Sequence, residues 1–301
     1  MAQFFNTVFN GLSLSSIILL TSLGLAITFG QMRVINMAHG EFVMIGAYVT
    51  YLTQKLFLAV FPESLFSVYY IVAVPAAFAA TFLLGSLLEL TVISRLYGRE
   101  IDSLLATCGI SLIFQQAARH IFGAQGVNVT SPKFLSGGIT VGGCTFSYNR
   151  LFIILFVALI LFAMWFLLYR SNFGRQMRAV TQNRPMAKCV GINSRKVDNF
   201  TFGIGSGLAG LAGCSVALLG SIDASVGQSY IVNSFMAVVL GGVGKLLGTV
   251  LGSSVIGFSG IAAETFVSSS IAKAIVLLII ILFLQKKPQG LFTIRSRALD
   301  E

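Results

Sequence analysis

The stretch INMAHGEFVMIGAY, residues 35 to 48, places an asparagine, a histidine and a glutamate inside an otherwise apolar run. Hydrocarbon penalises all three side chains, and Gly40 weakens a helix at the point where they fall. In a soluble helix such residues would simply face water. The flanking sequence decides between the two settings. Apolar runs of about 18 to 25 residues lie on both sides, separated by short charged segments, as in a polytopic helical membrane protein.

Composition points the same way. Of 301 residues, 56% are hydrophobic and 10% charged, with a mean hydropathy of +0.88. A soluble domain of this size could not hide so much apolar surface. The expected fold is all-α, a polytopic transmembrane helical bundle of about eight or nine spans containing broken or re-entrant helices. It forms a single transmembrane domain over 1–301. The N-terminus lacks a basic region and a small-residue cleavage site, so Gly11 to Phe29 is expected to be a retained span, not a cleaved signal.

The formal net charge is +10, and its placement sets the topology. Arg170, Arg175, Arg178, Arg184, Lys188, Arg195 and Lys196 follow one another with no acidic residue between them. The positive-inside rule puts this loop, 170–198, in the cytoplasm, together with the tail that carries Lys286, Lys287, Arg295 and Arg297. Counting spans outward from the loop leaves 123–150 as a periplasmic loop, the N-terminus outside and the C-terminus cytoplasmic. The weakest of about nine crossings is Ser229 to Lys245, which is short enough to be re-entrant. Nucleic acid is not an expected partner, because no basic, aromatic-bearing soluble domain is present. Cys108, Cys144, Cys189 and Cys214 show no metal-ligand spacing, so neither a metal nor a cofactor is expected.

INMAHGE (35–41) has an echo in IDASVGQ (222–228): Ile, then Asn or Asp, three residues, Gly, then Glu or Gln. The topology sends the first segment outward and the second inward. Two similar broken elements of opposite direction are what an inverted-repeat transporter requires. The expected substrate pathway is therefore lined by Asn36, His39, Gly40, Glu41, Asp223, Gly227 and Gln228. The same residues also suit a plainer role near the inner face, with Asn36 as a helix N-cap and Glu41 in the favourable field of a helix start. Glu264 and Lys273, beside the outer turn between the last two spans, are expected on the surface.

Two motifs tempt. GGVGKL (241–246) lacks the first glycine of a phosphate loop, which Val239 replaces, and its terminal hydroxyl, which Leu246 replaces; it binds no ATP by that route. GFSG (257–260) with His39 resembles the serine element of an intramembrane hydrolase, though the histidine comes before the serine. An ion-coupled secondary carrier using His39, Glu41 and Asp223 as proton sites is a further reading.

Taken together, GLAITFGQMRVINMAHGEFVMIGAY, LLATCGISLIFQQ, RAVTQNRPMAKCVGI, SFMAVVLGGVGKLLGTVLG and FLQKKPQGLF resemble the permease subunits of bacterial branched-chain amino-acid ABC importers. GAQGVNV, SYNRLFI and VTQNRPMA are most similar to the urea-transport branch of that family. The resemblance runs from about Gly11 to Phe292, with departures at Arg33, where a small residue is expected, and at Cys108. It implies an inner-membrane transport subunit with no enzymatic site, whose partners are a second homologous permease, two cytoplasmic ATPase subunits and a periplasmic solute-binding protein. Urea is then the expected substrate, with branched-chain amino acids or a short amide as the alternative. Urea is neutral and would need hydrogen-bonding side chains but no fixed counter-charge. The resemblance also gives residues 178–192 a role as a helix docking into an ATPase groove. That helix is expected to end at Gly191, with Ala179, Met186, Ala187 and Val190 on its apolar side, and Arg178, Ala179, Asn183, Ala187 and Gly191 as coupling residues. The Glu-Ala-Ala signature of the best-known coupling loops is absent.

Overall fold

A computed structural model describes residues 2–32, 34–135, 137–141, 144–287 and 290–291. Arg33 and the tail cations Arg295 and Arg297 lie outside the described residues. Among those described, eleven helices follow in order: α1 Ala2–Met32, α2 His39–Val60, α3 Tyr69–Thr91, α4 Glu100–Phe122, α5 Tyr148–Arg170, α6 Asn172–Gln182, α7 Arg184–Cys189, α8 Ser194–Ala217, α9 Val226–Gly241, α10 Leu246–Glu264 and α11 Ser269–Lys286. Eight of them, all except α6, α7 and α9, are long and apolar enough to cross a membrane. The chain is a multi-pass helical membrane protein.

Two segments gain detail. The ninth crossing, Ser229 to Lys245, is the 16-residue helix α9, which ends in a turn where Gly242 and Gly244 take φ of 94° and 87°. At about 1.5 Å per residue α9 spans roughly 24 Å, short of a full crossing. The Gly-rich segment between α4 and α5 is not a plain loop. It carries a hairpin of β1 Gly138–Val141 and β2 Cys144–Ser147, paired antiparallel with Gly138 opposite Ser147.

Helix α8 is buried along nearly its whole length, whereas α4, α5 and α11 turn most of their surface outward. Its sequence explains this, because the run GIGSGLAGLAG lets neighbouring backbones approach from every side. α1, α2 and α3 pack against α8, while α8, α9 and α10 pack against α1. α2 packs on α3 as α9 packs on α10, and between the two halves α1 packs on α8 and α2 on α9. Exchanging the first three helices for α8, α9 and α10 leaves this set of contacts unchanged.

Directions follow from individual contacts. Tyr70 on α3 donates to the Cys214 carbonyl at 3.2 Å, and Asn199 at the start of α8 donates to Glu89 at 3.0 Å, so α3 and α8 are antiparallel. The start of α8 adjoins α6 and α7, and α2 connects to the far end of α3, so α2 runs away from the basic loop. α9 runs toward it, because Gly244 lies against Gly30 and the neighbouring Gln31 meets Thr181 of α6.

Candidate functional site

Helices α2 and α9 begin back to back. An added Cβ on Gly40 would strike the Gly227 carbonyl, and one on Gly227 would strike the Gly40 carbonyl. These are the equivalent glycines of the INMAHGE and IDASVGQ segments. The contact lies deep in the bundle: His39 Nε2 donates to the Thr21 carbonyl at 3.1 Å, about three turns (roughly 16 Å) before α1 ends at Met32. The polar start of α2 is therefore not at the face carrying the basic loop, as expected, but well inside.

Residues 34–38 reach that depth without helical hydrogen bonds and are tied to α4 through Thr107. The Met37 N–H donates to Thr107 Oγ1 at 3.1 Å, and Thr107 Oγ1 donates to the Ile35 carbonyl at 3.4 Å. Asn36 does not cap the helix. The cap position is Ala38, and Asn36 Oδ1 accepts from the Ala38 N–H at 3.1 Å, which stabilises the turn before the helix. Glu41 is 1% exposed, and its Oε1 accepts from Ser111 Oγ and Gln115 Nε2 on α4, both at 2.8 Å. Glu41 Oε2, Asn36 Nδ2 and His39 Nδ1 are buried without a partner. Unsatisfied buried polar atoms cost on the order of 1–3 kcal/mol each, so three of them around one helix start mark a polar site in an apolar bundle.

The second half of the echo is arranged differently. Gly227 is buried, but Asp223 and Gln228 are exposed. Asp223 Oδ1 accepts from the Ser225 N–H at 2.8 Å and its hydroxyl at 2.9 Å, stabilising the turn before α9. The structure thus gathers Asn36, His39, Gly40, Glu41 and Gly227, and leaves Asp223 and Gln228 on an open face. It adds Thr107, Ser111 and Gln115. The i, i+4 spacing of Ser111 and Gln115 within an apolar span was the available signal. Ser259 of GFSG donates to the Ile256 carbonyl at 3.2 Å while His39 donates to Thr21, so the two do not form a nucleophile–base pair. Among the described residues no cluster of His, Cys, Asp and Glu could hold a metal ion.

The basic loop is two helices, not one. Pro185 cannot donate a helical N–H, and Asn183 leaves the helical region at φ −152° and caps α7 by accepting from the Met186 N–H at 3.0 Å. Of the expected coupling residues, Arg178, Asn183 and Ala187 are engaged within the chain. Arg178 donates to the Leu168 carbonyl at the end of α5, Ala187 is 3% exposed, and Gly191 ends α7 with φ 85°. Ala179 is only half-buried. The apolar side chains that do face out are Met186 and Val190, 61% and 69% exposed. Arg184 pairs with Asp198 of α8 and lies 4.7 Å from the Tyr97 ring centre. Tyr97 donates to buried Glu89 of α3 at 2.8 Å. Burial, and then the Glu89 carboxylate, push the Tyr97 phenol above its usual pKa, so it stays a donor. α7 is thereby tied to α3 and α8 together.

A family model described as "Branched-chain amino acid transport system / permease component" matches residues 7–284. The high-affinity branched-chain amino acid transport system permease protein BraD of Pseudomonas aeruginosa is 27% identical, over 94% of this chain and 93% of its own. The corresponding LivH protein of Escherichia coli is 27% identical over 96% and 95%. A probable branched-chain amino acid transport permease of Methanocaldococcus jannaschii is 29% identical over 92% and 89%. No solved structure matches.

Proposed function

The chain belongs to the branched-chain amino acid transport system permease family, and on that premise we propose that it is the membrane-spanning subunit of an ATP-driven importer of branched-chain amino acids. It is a transport subunit and not an enzyme. The observation that supports a pathway through it is the meeting of α2 and α9 at Gly40 and Gly227, beside buried Glu41, His39 and Asn36. Two helices starting inside a bundle and running in opposite directions point the positive ends of their dipoles toward its middle. A solute crossing there exchanges water for the side-chain amide of Asn36 and the carboxylate of Glu41, both of which carry an unpartnered buried atom. Opening to one side and then the other follows from rocking one half of the bundle against the other about the glycine contact.

The relatives named for branched-chain amino acids support this substrate over urea. Urea or a short amide is the second reading. It rests on GAQGVNV, SYNRLFI and VTQNRPMA, and on a Glu41–Ser111–Gln115 group that offers hydrogen bonds without a cation.

The partners in this reading are a second homologous permease, two cytoplasmic ATPases and a periplasmic binding protein, assembled in the inner membrane. Met186 and Val190 form the outer apolar surface on which an ATPase docks. Arg184, Asp198 and Tyr97 carry the movement of α7 to α3 and α8.

Reconstitution in proteoliposomes tests the whole assignment. The lone chain is expected to transport neither labelled leucine nor labelled urea. With all partners and ATP it is expected to take up leucine. Proton-driven uptake by the lone chain would replace the ABC reading with the secondary-carrier one, and ATP-driven uptake of urea alone would replace the substrate.

A further inference from the structure

At the end of the bundle away from the basic loop, a cavity of about 360 Å³ opens between Asn10 and Leu14 of α1, the start of α5, the first two turns of α9 and the turn from α10 to α11. Three charges line it: Arg150 of α5, Glu264 at the end of α10 and Lys273 one turn into α11. Among the described residues, neither cation has a carboxylate within ion-pair distance; the two ion pairs present are Arg99–Asp102 and Arg184–Asp198. Glu264 is met by a hydroxyl and not by a cation, since its Oε1 accepts from Ser269 Oγ at 2.7 Å. Glu264 and Lys273 face one cavity across a short turn, where a merely solubilising pair would be free to close on each other. They stay apart.

The rest of the wall is of two kinds. Leu14 of α1, Val226 of α9 and Ile261 of α10 are apolar, while Ser229 and Asn233 present a polar stripe along α9. Val226 adjoins Gly227, so the cavity lies against the first turn of the half-helix whose other side meets Gly40. The positive end of the α9 helix dipole favours a negative group there. Separate positive and negative side chains, an aliphatic wall and a volume at the small end of ligand pockets match a zwitterion with a short apolar side chain. A neutral solute would gain nothing from the unpaired charges.

We propose that this cavity is the receiving site for the amino acid handed over at the outer mouth. The α-carboxylate lies toward Arg150 and Lys273, the α-ammonium toward Glu264, and the branched side chain against Leu14, Val226 and Ile261. The proposal rests on the amino-acid reading of the substrate. It gives Glu264 and Lys273 a role that the sequence assigned only to the surface.

The test uses the assembled permease–ATPase complex in lipid nanodiscs without binding protein, with ligand binding followed by saturation-transfer NMR. The probes are leucine, leucinamide, which lacks the carboxylate, and 4-methylpentanoate, which lacks the ammonium. Leucine is expected to bind at least tenfold more tightly than either analogue. In Lys273→Met leucine loses its advantage over leucinamide, and in Glu264→Gln it loses its advantage over 4-methylpentanoate. Lys55→Met, at the same end of the bundle but outside the cavity, leaves all three unchanged. A general structural defect would weaken every probe alike and would not produce this charge-by-charge pattern. Co-purification of the ATPases with each variant confirms assembly. Leucine uptake by the unaltered importer, with leucine binding as tightly to both variants as to the parent, overturns the cavity assignment alone. Urea uptake without leucine uptake by the unaltered importer overturns the amino-acid reading first, and the cavity assignment with it.

Discussion

At Gly40 an added methyl group would strike the Gly227 carbonyl and crowd the Cβ of Ile231, whereas at Gly109 on α4 it would meet nothing within 4 Å. Gly40→Ala must therefore push α2 and α9 apart, at an expected cost of about 1–3 kcal/mol, as for other overpacked sites. Gly109→Ala is expected to be neutral or slightly stabilising, because alanine is the better helix former. Thermal unfolding of the purified subunit and leucine uptake by the assembled importer check this. Equal melting temperatures and equal uptake for the two variants would show that α2 and α9 do not depend on their close approach. The importance of these two glycines was legible in the chain, since the matching segments align them. The fates of Asp223 and Glu41 were not. Both occupy polar positions near a helix start, but one stabilises an exposed turn and the other is enclosed by α4.

Helix α7 shows how far periodicity carries at the level of an element. Its apolar residues Met186, Ala187 and Val190 are close in sequence and were expected on one docking side, yet Ala187 packs into this chain's own core while the other two face outward. The break at Asn183 and Pro185 restarts the helical phase, so a pattern read across the whole segment mixes two faces. Two substitutions separate the roles. Ala187→Asp buries a carboxylate within the subunit and is expected to lower its own stability, before any partner binds. Met186→Asp leaves the subunit's melting temperature unchanged and weakens ATPase binding by about 2–5 kcal/mol, which is more than tenfold in affinity. Retention of the ATPases by Met186→Asp through purification, with hydrolysis still responding to loaded binding protein, would move the docking surface elsewhere.

For the whole molecule, the contacts of α1–α2–α3 with α8–α9–α10 assign the basic loop and the ends of α1, α5 and α9 to one end of the bundle. The β hairpin, the end of α4 and the start of α5 lie at the other. With the basic loop in the cytoplasm, exposed Cys189 should react with an impermeant thiol reagent only when the cytoplasmic side is accessible. Ala124→Cys should react only from outside. The experiment uses a chain whose other cysteines are replaced by serine, comparing intact cells with inverted vesicles. Reversed labelling would invert every span while leaving the helix packing untouched.

Membrane residence, helical class, the basic loop and the equivalence of Gly40 and Gly227 in two echoing segments were determined by the sequence alone, because each depends on local composition or on a short pattern. That the two glycines touch was decided by the tertiary structure. α9 also fell within that reach, since its length is a local property and its segment was already the doubtful crossing. Depth and company were decided only by the tertiary structure. The polar start of α2 sits opposite Thr21 because residues 34–38 return into the bundle. Glu41 finds Ser111 and Gln115 seventy and more residues away. Arg150, Glu264 and Lys273 share one cavity although they come from three helices. Burial and unpaired charge are properties of what surrounds a side chain, and in this chain the surroundings are assembled from segments that no spacing rule connects.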